Sequence, residues 1–143
     1  VSWNETENVA WKTPIHDRGW SSPVIWNDQV WMTTATKKGH RMFAVCVDKE
    51  TGKVIHDIHV FDVESPQAIT IDNTYASPTP VIEKDRVYVH FGTYGTACIS
   101  TKTGEKVWER RDLNCDHETG AGPASSPFLF NDFLCFSMCP HLL

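Results

Sequence analysis

The sequence lacks the features of two large classes of protein. It has no run of about 18 apolar residues, the length that a helix needs to cross a bilayer. It also has no dense stripe of lysine or arginine, and its formal net charge is −5. Because phosphate binding needs clustered cations, this argues against a nucleic-acid surface. The only arginine pair lies in the segment ERRD, Glu109 to Asp112, and we interpret it as a solvated strand end flanked by acids.

Paired metal-ligand motifs are also missing. A structural zinc site normally has two pairs of ligands, whereas the segment NCDHETGAG offers the single pair Cys115 and His117, with Asp116 between them. These three residues are the metal candidates of the chain. The alternative is a turn whose polar side chains satisfy backbone groups.

What the sequence does contain is an internal repeat. Ser-Pro recurs at residues 22–23, 77–78 and 126–127, and Thr-Gly recurs at residues 51–52 and 103–104; each dipeptide has one further copy, at 65–66 and 119–120, outside this register. Both landmarks give a period of about 50 residues, which is in the range of propeller blades. We therefore align Ser-Pro with Ser-Pro and expect each pair to start the innermost strand of a blade.

Each repeat is predicted to contain four short strands, because runs of β-branched and aromatic residues alternate with turn residues. The predicted strands are residues 22–26, 29–34, 41–47 and 53–61, then 79–83, 86–91, 96–100 and 106–110. The linkers between them are short and polar, so the strands form antiparallel meanders. The predicted fold class is all-β: an incomplete β-propeller of four-stranded antiparallel blades.

The end of each repeat carries a further pattern. The segments Cys46–His56 and Cys98–Glu109 resemble the repeat of quinoprotein-type (PQQ-like) β-propellers, in which an apolar strand precedes Asp, Thr-Gly and often Trp. The resemblance implies that the tryptophan docks onto the neighbouring blade. His56 stands at that position in the first repeat, and Ser100 replaces the turn aspartate in the second. The structural blade motif implied here is Trp11, Asp48, Gly52, Gly104 and Trp108.

The whole chain, residues 1–143, is predicted to be one partial propeller domain. Its predicted parts are a closing strand at 8–15, blades at 20–61 and 75–111, and the start of a truncated blade at 124–143. A closed propeller has four to eight blades, so we expect a fragment of a longer protein. The start at Val1 and the end in an apolar run favour the same interpretation, and a native end at Leu143 is the alternative.

Loops on a rigid scaffold are where propellers usually carry function. The candidate ligand or partner residues are His90 and Tyr94, beside the hairpin FGTYG, and Asp116 and His117. A packed aromatic hairpin is the alternative for the first two. Cys46 and Cys98 share one repeat position, which is typical of small buried packing residues rather than reactive thiols.

Two classes of function stay open. The first is a non-catalytic propeller that acts as a binding or assembly scaffold in an exported bacterial protein. It would contact a protein or small molecule and need no cofactor. The second is part of a PQQ-dependent dehydrogenase, which the resemblance links to PQQ, a calcium ion and an aspartate base.

The scaffold is favoured, and we leave open whether the chain belongs to an enzyme. The vicinal cysteines of the quinoprotein dehydrogenases do not occur here, and no cluster of calcium ligands is evident. The resemblance implies a periplasmic or extracellular location. The remaining blades of the parent propeller are expected partners.

Overall fold

The structure, a computed structural model, describes residues 3–114 and 120–137. Short antiparallel strands dominate this part of the chain, with a single 3₁₀ turn at Gly92–Tyr94. The strands are β1 Val24–Trp26, β2 Gln29–Ala35, β3 Arg41–Asp48, β4 Val54–Asp62, β5 Val81–Glu83, β6 Arg86–His90, β7 Thr96–Ser100, β8 Lys106–Arg110, β9 Phe128–Phe130 and β10 Phe133–Cys135.

The strands form two complete meanders and one hairpin. One sheet has the order β1-β2-β3-β4 and the next has the order β5-β6-β7-β8, with every neighbouring pair antiparallel. We call these the first and second blades, and the pair β9-β10 the third hairpin. The predicted all-β fold class of four-stranded antiparallel sheets is confirmed.

The first turn of each unit uses a residue with positive φ. These residues are Asn27, Asp85 and Asn131, at φ values of 52°, 65° and 50°. Asn and Asp adopt this left-handed conformation more readily than other non-glycine residues, because their short polar side chains can form local hydrogen bonds. The polar linkers therefore close tight hairpins.

Because the strands of a blade run alternately in opposite directions, its connections fall at two opposite ends. The turns from β1 to β2 and from β3 to β4 lie at one end, which we call the turn end. The β2–β3 loop and the crossings between blades lie at the other, which we call the loop end. The crossings are residues 63–80 and, in the described part of the chain, 111–114 and 120–127, and the corresponding hairpin of the second blade is residues 91–95.

The hydrophobic core lies between the facing surfaces of the first and second blades. The first blade contributes fully buried side chains that include Trp31, Met42 and Phe61. Since side chains alternate across a strand, β6 and the residue after it contribute Val87, Val89 and Phe91. The strand residues between them, Tyr88 and His90, lie on the opposite face, where the ring of His90 is 4.3 Å from that of Phe136.

The alignment of Ser-Pro with Ser-Pro is wrong for the second blade. Val24 starts β1 and Val81 starts β5, so the residues equivalent to Ser22 and Pro23 are Thr79 and Pro80. The pair at residues 77–78 belongs to the crossing before the strand. The prediction failed because Thr-Pro can replace Ser-Pro at this position. In both pairs a residue with a hydroxyl group precedes proline.

The predicted closing strand at residues 8–15 forms no strand in the structure and has no strand partner among the described residues. Val9, Trp11, Thr13 and Ile15 are half-buried, and the residues between them are exposed, as in a strand with one covered face. That this segment completes a blade stays a prediction. No helix in residues 3–114 and 120–137 is long and apolar enough to cross a membrane.

Candidate functional site

The N-terminal segment docks onto the first blade through Trp11. Its indole Nε1–H donates a 2.8 Å hydrogen bond to the carbonyl oxygen of Lys49, in the β3–β4 turn. Its ring covers Gly52, where an added Cβ would lie 2.5 Å from the ring carbons. Gly52 also has a φ of 70°, which suits glycine far better than other residues. Trp11 and Gly52 therefore form one blade contact.

The contact between the first and second blades lies at the equivalent turn glycine, but a histidine replaces the tryptophan. His56 covers Gly104, where an added Cβ would lie 2.8 Å from the imidazole Nδ1. The imidazole also stacks on Trp31, with ring centroids 5.6 Å apart. Trp11 bonds a turn carbonyl, and in this contact Gln29 makes the corresponding bond instead of His56. The side-chain Nε2 of Gln29 donates to the carbonyl oxygen of Thr101 at 2.9 Å.

The turn residues Asp48 and Ser100 do related work in successive blades. The Asp48 carboxylate accepts hydrogen bonds from the backbone N–H and the hydroxyl of Thr51, both at 2.7 Å. These bonds stabilise the charged form and lower the pKa of Asp48. Ser100 accepts a single bond of 3.2 Å, from the backbone N–H of Thr103. The replacement therefore keeps the turn with fewer bonds.

Trp108 lies on the side of the second blade that faces the third hairpin. Its ring centroid is 5.9 Å from that of Tyr88, and the residue is 39% exposed. In the described part of the chain Trp108 packs against no Thr-Gly turn, whereas Trp11 packs against Gly52 and His56 packs against Gly104. That Trp108 docks onto a following blade stays a prediction.

His90 is a packed core residue. It is 2% exposed, its Nδ1 lies 2.8 Å from the hydroxyl of Thr96, and its ring lies 4.3 Å from that of Phe136. Burial lowers the pKa of His90 to about 4, because the charged form loses its hydration. This geometry favours the packed hairpin over a ligand loop for His90.

Tyr94 is also buried, but its hydroxyl orders a loop. It accepts a 3.0 Å hydrogen bond from the backbone N–H of Gln67, while the Tyr75 hydroxyl donates to the Gln67 carbonyl at 2.6 Å. Burial raises the pKa of the Tyr94 hydroxyl, which therefore stays protonated at neutral pH. Tyr75 and Tyr94 together hold the crossing between the first two blades by these bonds to Gln67, and we call the pair the clamp.

The remaining sequence candidates do not form a reactive site in the described residues. Cys115, Asp116 and His117 lie outside those residues. Burial raises the pKa of the Cys46 thiol to about 12 and also raises that of Cys98, so both thiols are poor nucleophiles. Among residues 3–114 and 120–137, no group of three His, Cys, Asp or Glu side chains could hold a metal ion.

A cavity of about 260 Å³ opens at the loop end, beside the clamp. Its walls include Ser65, Gln67, Thr93, Tyr94, Arg111 and Asn114. Arg111 is held by two backbone carbonyls: Nε donates to Tyr94 at 3.1 Å and Nη2 donates to Asp62 at 2.9 Å. Arg110 instead pairs with Asp112 at 2.8 Å. Arg110 and Arg111 are both exposed, in agreement with the interpretation of ERRD as a solvated end, and Arg111 in addition contacts two backbone carbonyls.

His16 joins the N-terminal segment to the outer strand of the first blade. Its Nε2 lies 2.9 Å from Asp57 and its Nδ1 lies 2.8 Å from Asp17. Its ring also meets Phe43 edge-on, with centroids 4.8 Å apart. The hydrogen bond to Asp57, followed by that to Asp17, raises the pKa of His16.

No protein-family model and no curated protein matches this sequence. Among solved structures, the crystal structure of BamB from Moraxella catarrhalis aligns with 92% of this chain at a TM-score of 0.63. The sequence identity is 14%, and the chain spans 38% of the length of that protein. The chain has the fold of a PQQ-like β-propeller, present here in part. A likeness at this identity gives the fold and leaves the activity open.

Several important residues of the propeller were missed from sequence. Gln29 and Gln67 were not singled out, and Arg111 was interpreted only as part of a solvated arginine pair. Gln29 and Arg111 donate to backbone carbonyls far along the chain, and the backbone of Gln67 bonds two tyrosine hydroxyls. The partial signal for Gln29 was its place at the start of the second strand, opposite the turn aspartate. For Arg111 the signal was its position one residue past the predicted end of the last strand, where a side chain can reach the crossing loop.

Proposed function

We propose that this chain is part of a non-catalytic propeller that binds a partner protein at its loop end. The observation that carries the proposal is the contrast between the two ends of the blades. The turn end is closed by short hairpins, whereas the loop end carries the crossings 63–80 and 111–127. Connections longer than about 12–15 residues are uncommon in compact domains and are often functional.

The described parts of the crossings are ordered by hydrogen bonds. The backbone N–H groups of Trp20 and Ser21 both donate to the Ala76 carbonyl at 3.1 Å. Asn73 reaches the second crossing, where its side-chain amide donates to the Pro123 carbonyl at 3.2 Å. A loop surface that is already ordered loses less entropy when it binds, which favours recognition.

Exposed apolar side chains lie on the first crossing and on the segment before β1 that is hydrogen-bonded to it. Trp20 is 59% exposed and Ile71 is 92% exposed. Aromatic residues are enriched at protein interfaces, where a large apolar area becomes buried. These two positions are therefore expected to lie in or near the contact with the partner.

The dehydrogenase alternative finds no support in the described blades. Calcium takes six to eight oxygen ligands, and the described residues hold no cluster that could bind a metal ion. His90 is buried, and both ring nitrogens of His16 are already hydrogen-bonded. The PQQ-dependent dehydrogenase therefore stays the second candidate, with its cofactor and calcium residues expected mainly in other blades.

Site-specific photo-crosslinking in the source organism tests the proposal. A photoreactive amino acid replaces Trp20 or Ile71 at the loop end, and Asp28 or Lys102 serves as a matched exposed position at the turn end. The proposal predicts one crosslinked protein band from the loop-end positions and none from the turn-end positions. Equal crosslinking from both ends, or none from either, would contradict it.

We extend the proposal to an exported protein, in the periplasm or outside the cell, because the repeats resemble those of quinoprotein-type propellers. Fractionation of the source cells tests this extension. The protein is expected in the periplasmic or culture fraction, and a cytoplasmic pool alone would contradict export.

A further inference from the structure

We propose that the loop-end cavity beside Arg111 binds a carboxylate group, which an acidic side chain of the partner protein supplies. The source of the carboxylate rests on the function proposed above. The chemistry of the cavity does not, because it follows from Arg111 and its surroundings.

The first step is that Arg111 is held in place before any ligand arrives. Two backbone carbonyls fix its guanidinium, and the guanidinium carbon lies 5.0 Å from the centre of the Phe61 ring. Gly95 leaves room for the aliphatic stem, since a Cβ there would lie 3.0 Å from Cγ of Arg111. A guanidinium fixed in this way has little rotamer entropy left to lose when it binds.

The second step is that Arg111 has no acidic partner among the described residues. Two neighbouring carboxylates are engaged elsewhere: Asp112 accepts bonds of 2.8 and 3.1 Å from Arg110, and Asp62 lies 3.2 Å from His59. Glu64, beside the wall residue Ser65, is exposed and forms no ion pair with Arg111. A guanidinium has more N–H donors than the two carbonyls use. The remaining donors are available for an anion at the cavity.

The volume and the charge of the cavity favour one type of anion. The cavity of about 260 Å³ is smaller than the roughly 300–1,000 Å³ of pockets for drug-sized ligands. It suits a small group, and Ser65 and Asn114 add neutral donors to its wall. With one cation in the wall and a net charge of −5 on the chain, a singly charged carboxylate is favoured over a doubly charged phosphate. Arginine also matches a carboxylate in geometry.

The test uses NMR titration of the 143-residue chain with N-acetyl-glutamate α-amide, in the background of Phe130→Ser with Phe133→Ser, which removes exposed apolar side chains of the third hairpin. The neutral N-acetyl-glutamine α-amide is the matched control probe, and inorganic phosphate is the competing anion. We expect backbone amide shifts at Ser65, Thr93 and Asn114, with a Kd on the order of millimolar. Phosphate and the glutamine probe should each bind at least about tenfold more weakly.

Two variants check the assignment to Arg111. Arg111→Ala should weaken binding of the glutamate probe about 10- to 100-fold, the worth of a charged hydrogen bond. Arg110→Ala, one residue away and already paired, should stay within about twofold on the same grounds. Arg111→Lys keeps the charge and tests the guanidinium geometry without removing the side chain, and it should give an intermediate loss.

Several outcomes would overturn the proposal. They are equal binding of the glutamine probe, tighter binding of phosphate, no shift at the cavity, or an equal effect of Arg110→Ala. If Arg111→Ala abolishes probe binding but leaves the crosslinked partner in place, the partner side chain is overturned as the source. If the probe binds but no partner is found, the cavity chemistry stands and the proposed function fails.

Discussion

The backbone N–H of Ser22 donates a 3.0 Å hydrogen bond to the hydroxyl oxygen of Thr79 in the next blade. The backbone N–H of Thr79 in turn donates at 2.9 Å to the hydroxyl of Ser126, before the third hairpin. Each of these residues precedes a proline and the innermost strand of its unit. Successive repeats are therefore joined by one repeated hydrogen bond at their inner strands.

The first prediction concerns this bond. Thr79→Val keeps the shape of the side chain but removes the acceptor for Ser22, so the free energy of unfolding should fall by about 0.5–1.5 kcal/mol. Thr79→Ser keeps the hydroxyl and is the control, with a smaller loss expected. Urea unfolding of the two variants measures the difference. Equal losses would show that the hydroxyl contributes nothing.

The second prediction concerns Gln29. Its amide donates to Thr101, and its Oε1 accepts from the indole of Trp31 at 2.9 Å. Gln29→Ala should lower the free energy of unfolding by about 1–3 kcal/mol, because it leaves buried groups without partners. Gln29→Glu keeps the acceptor for Trp31 but puts an oxygen opposite the Thr101 carbonyl, so it should also lower the free energy of unfolding. An unchanged denaturation midpoint for Gln29→Ala would contradict this account of the blade contact.

The third prediction concerns acid stability and His90. Its pKa of about 4 in the folded state lies below the ordinary value of 6.5, so the unfolded chain binds more protons between these pH values. Stability should therefore fall as the pH drops from 6.5 towards 4. His90→Phe should remove this part of the pH dependence in urea unfolding. A variant with the same pH slope as the parent chain would show that His90 is not the group responsible.

The fourth prediction concerns His16, which acts in the opposite direction. Its raised folded pKa gives stability that is fully present below the unfolded value of 6.5 and is lost as the pH rises through the folded value. NMR titration of the imidazole should show the raised pKa, and Asp57→Asn should lower it. An unchanged midpoint in Asp57→Asn would remove the carboxylate as the main cause.

The fifth prediction concerns self-association of the 143-residue chain. Phe128, Phe130 and Phe133 are exposed on the third hairpin, and Phe130 pairs directly with Phe133. Exposed apolar surface of this kind promotes association. Sedimentation should detect oligomers, and the double change Phe130→Ser with Phe133→Ser should reduce them. A monodisperse parent chain would contradict the prediction.

The fold was largely predictable from the sequence because the local signals are strong and repeated. Turn residues separate short β-branched runs, so the predicted strands 86–91 and 96–100 lie within one residue of the observed β6 and β7. The site was less predictable. The backbone of Gln67 is ordered by the hydroxyls of Tyr94 and Tyr75, and Arg111 is ordered by two backbone carbonyls. No pattern within one repeat encodes such contacts.

The choice between Ser77 and Thr79 shows why the sequence alone misaligned the second repeat. Sequence identity favoured Ser77 as the equivalent of Ser22, yet Thr79 occupies that place because it offers the same hydroxyl. Chemistry rather than residue identity is repeated. His56 at the position of Trp11 is a second example, since both rings cover a turn glycine.

The most direct test of the central claim is hydrogen exchange of the chain with and without the crosslinked partner. Binding at the loop end predicts slower exchange of amides in residues 63–76 and 91–95, with the turn-end residues 49–53 and 101–105 unchanged. Protection at the turn end, with the loop end unchanged, would contradict the proposed scaffold.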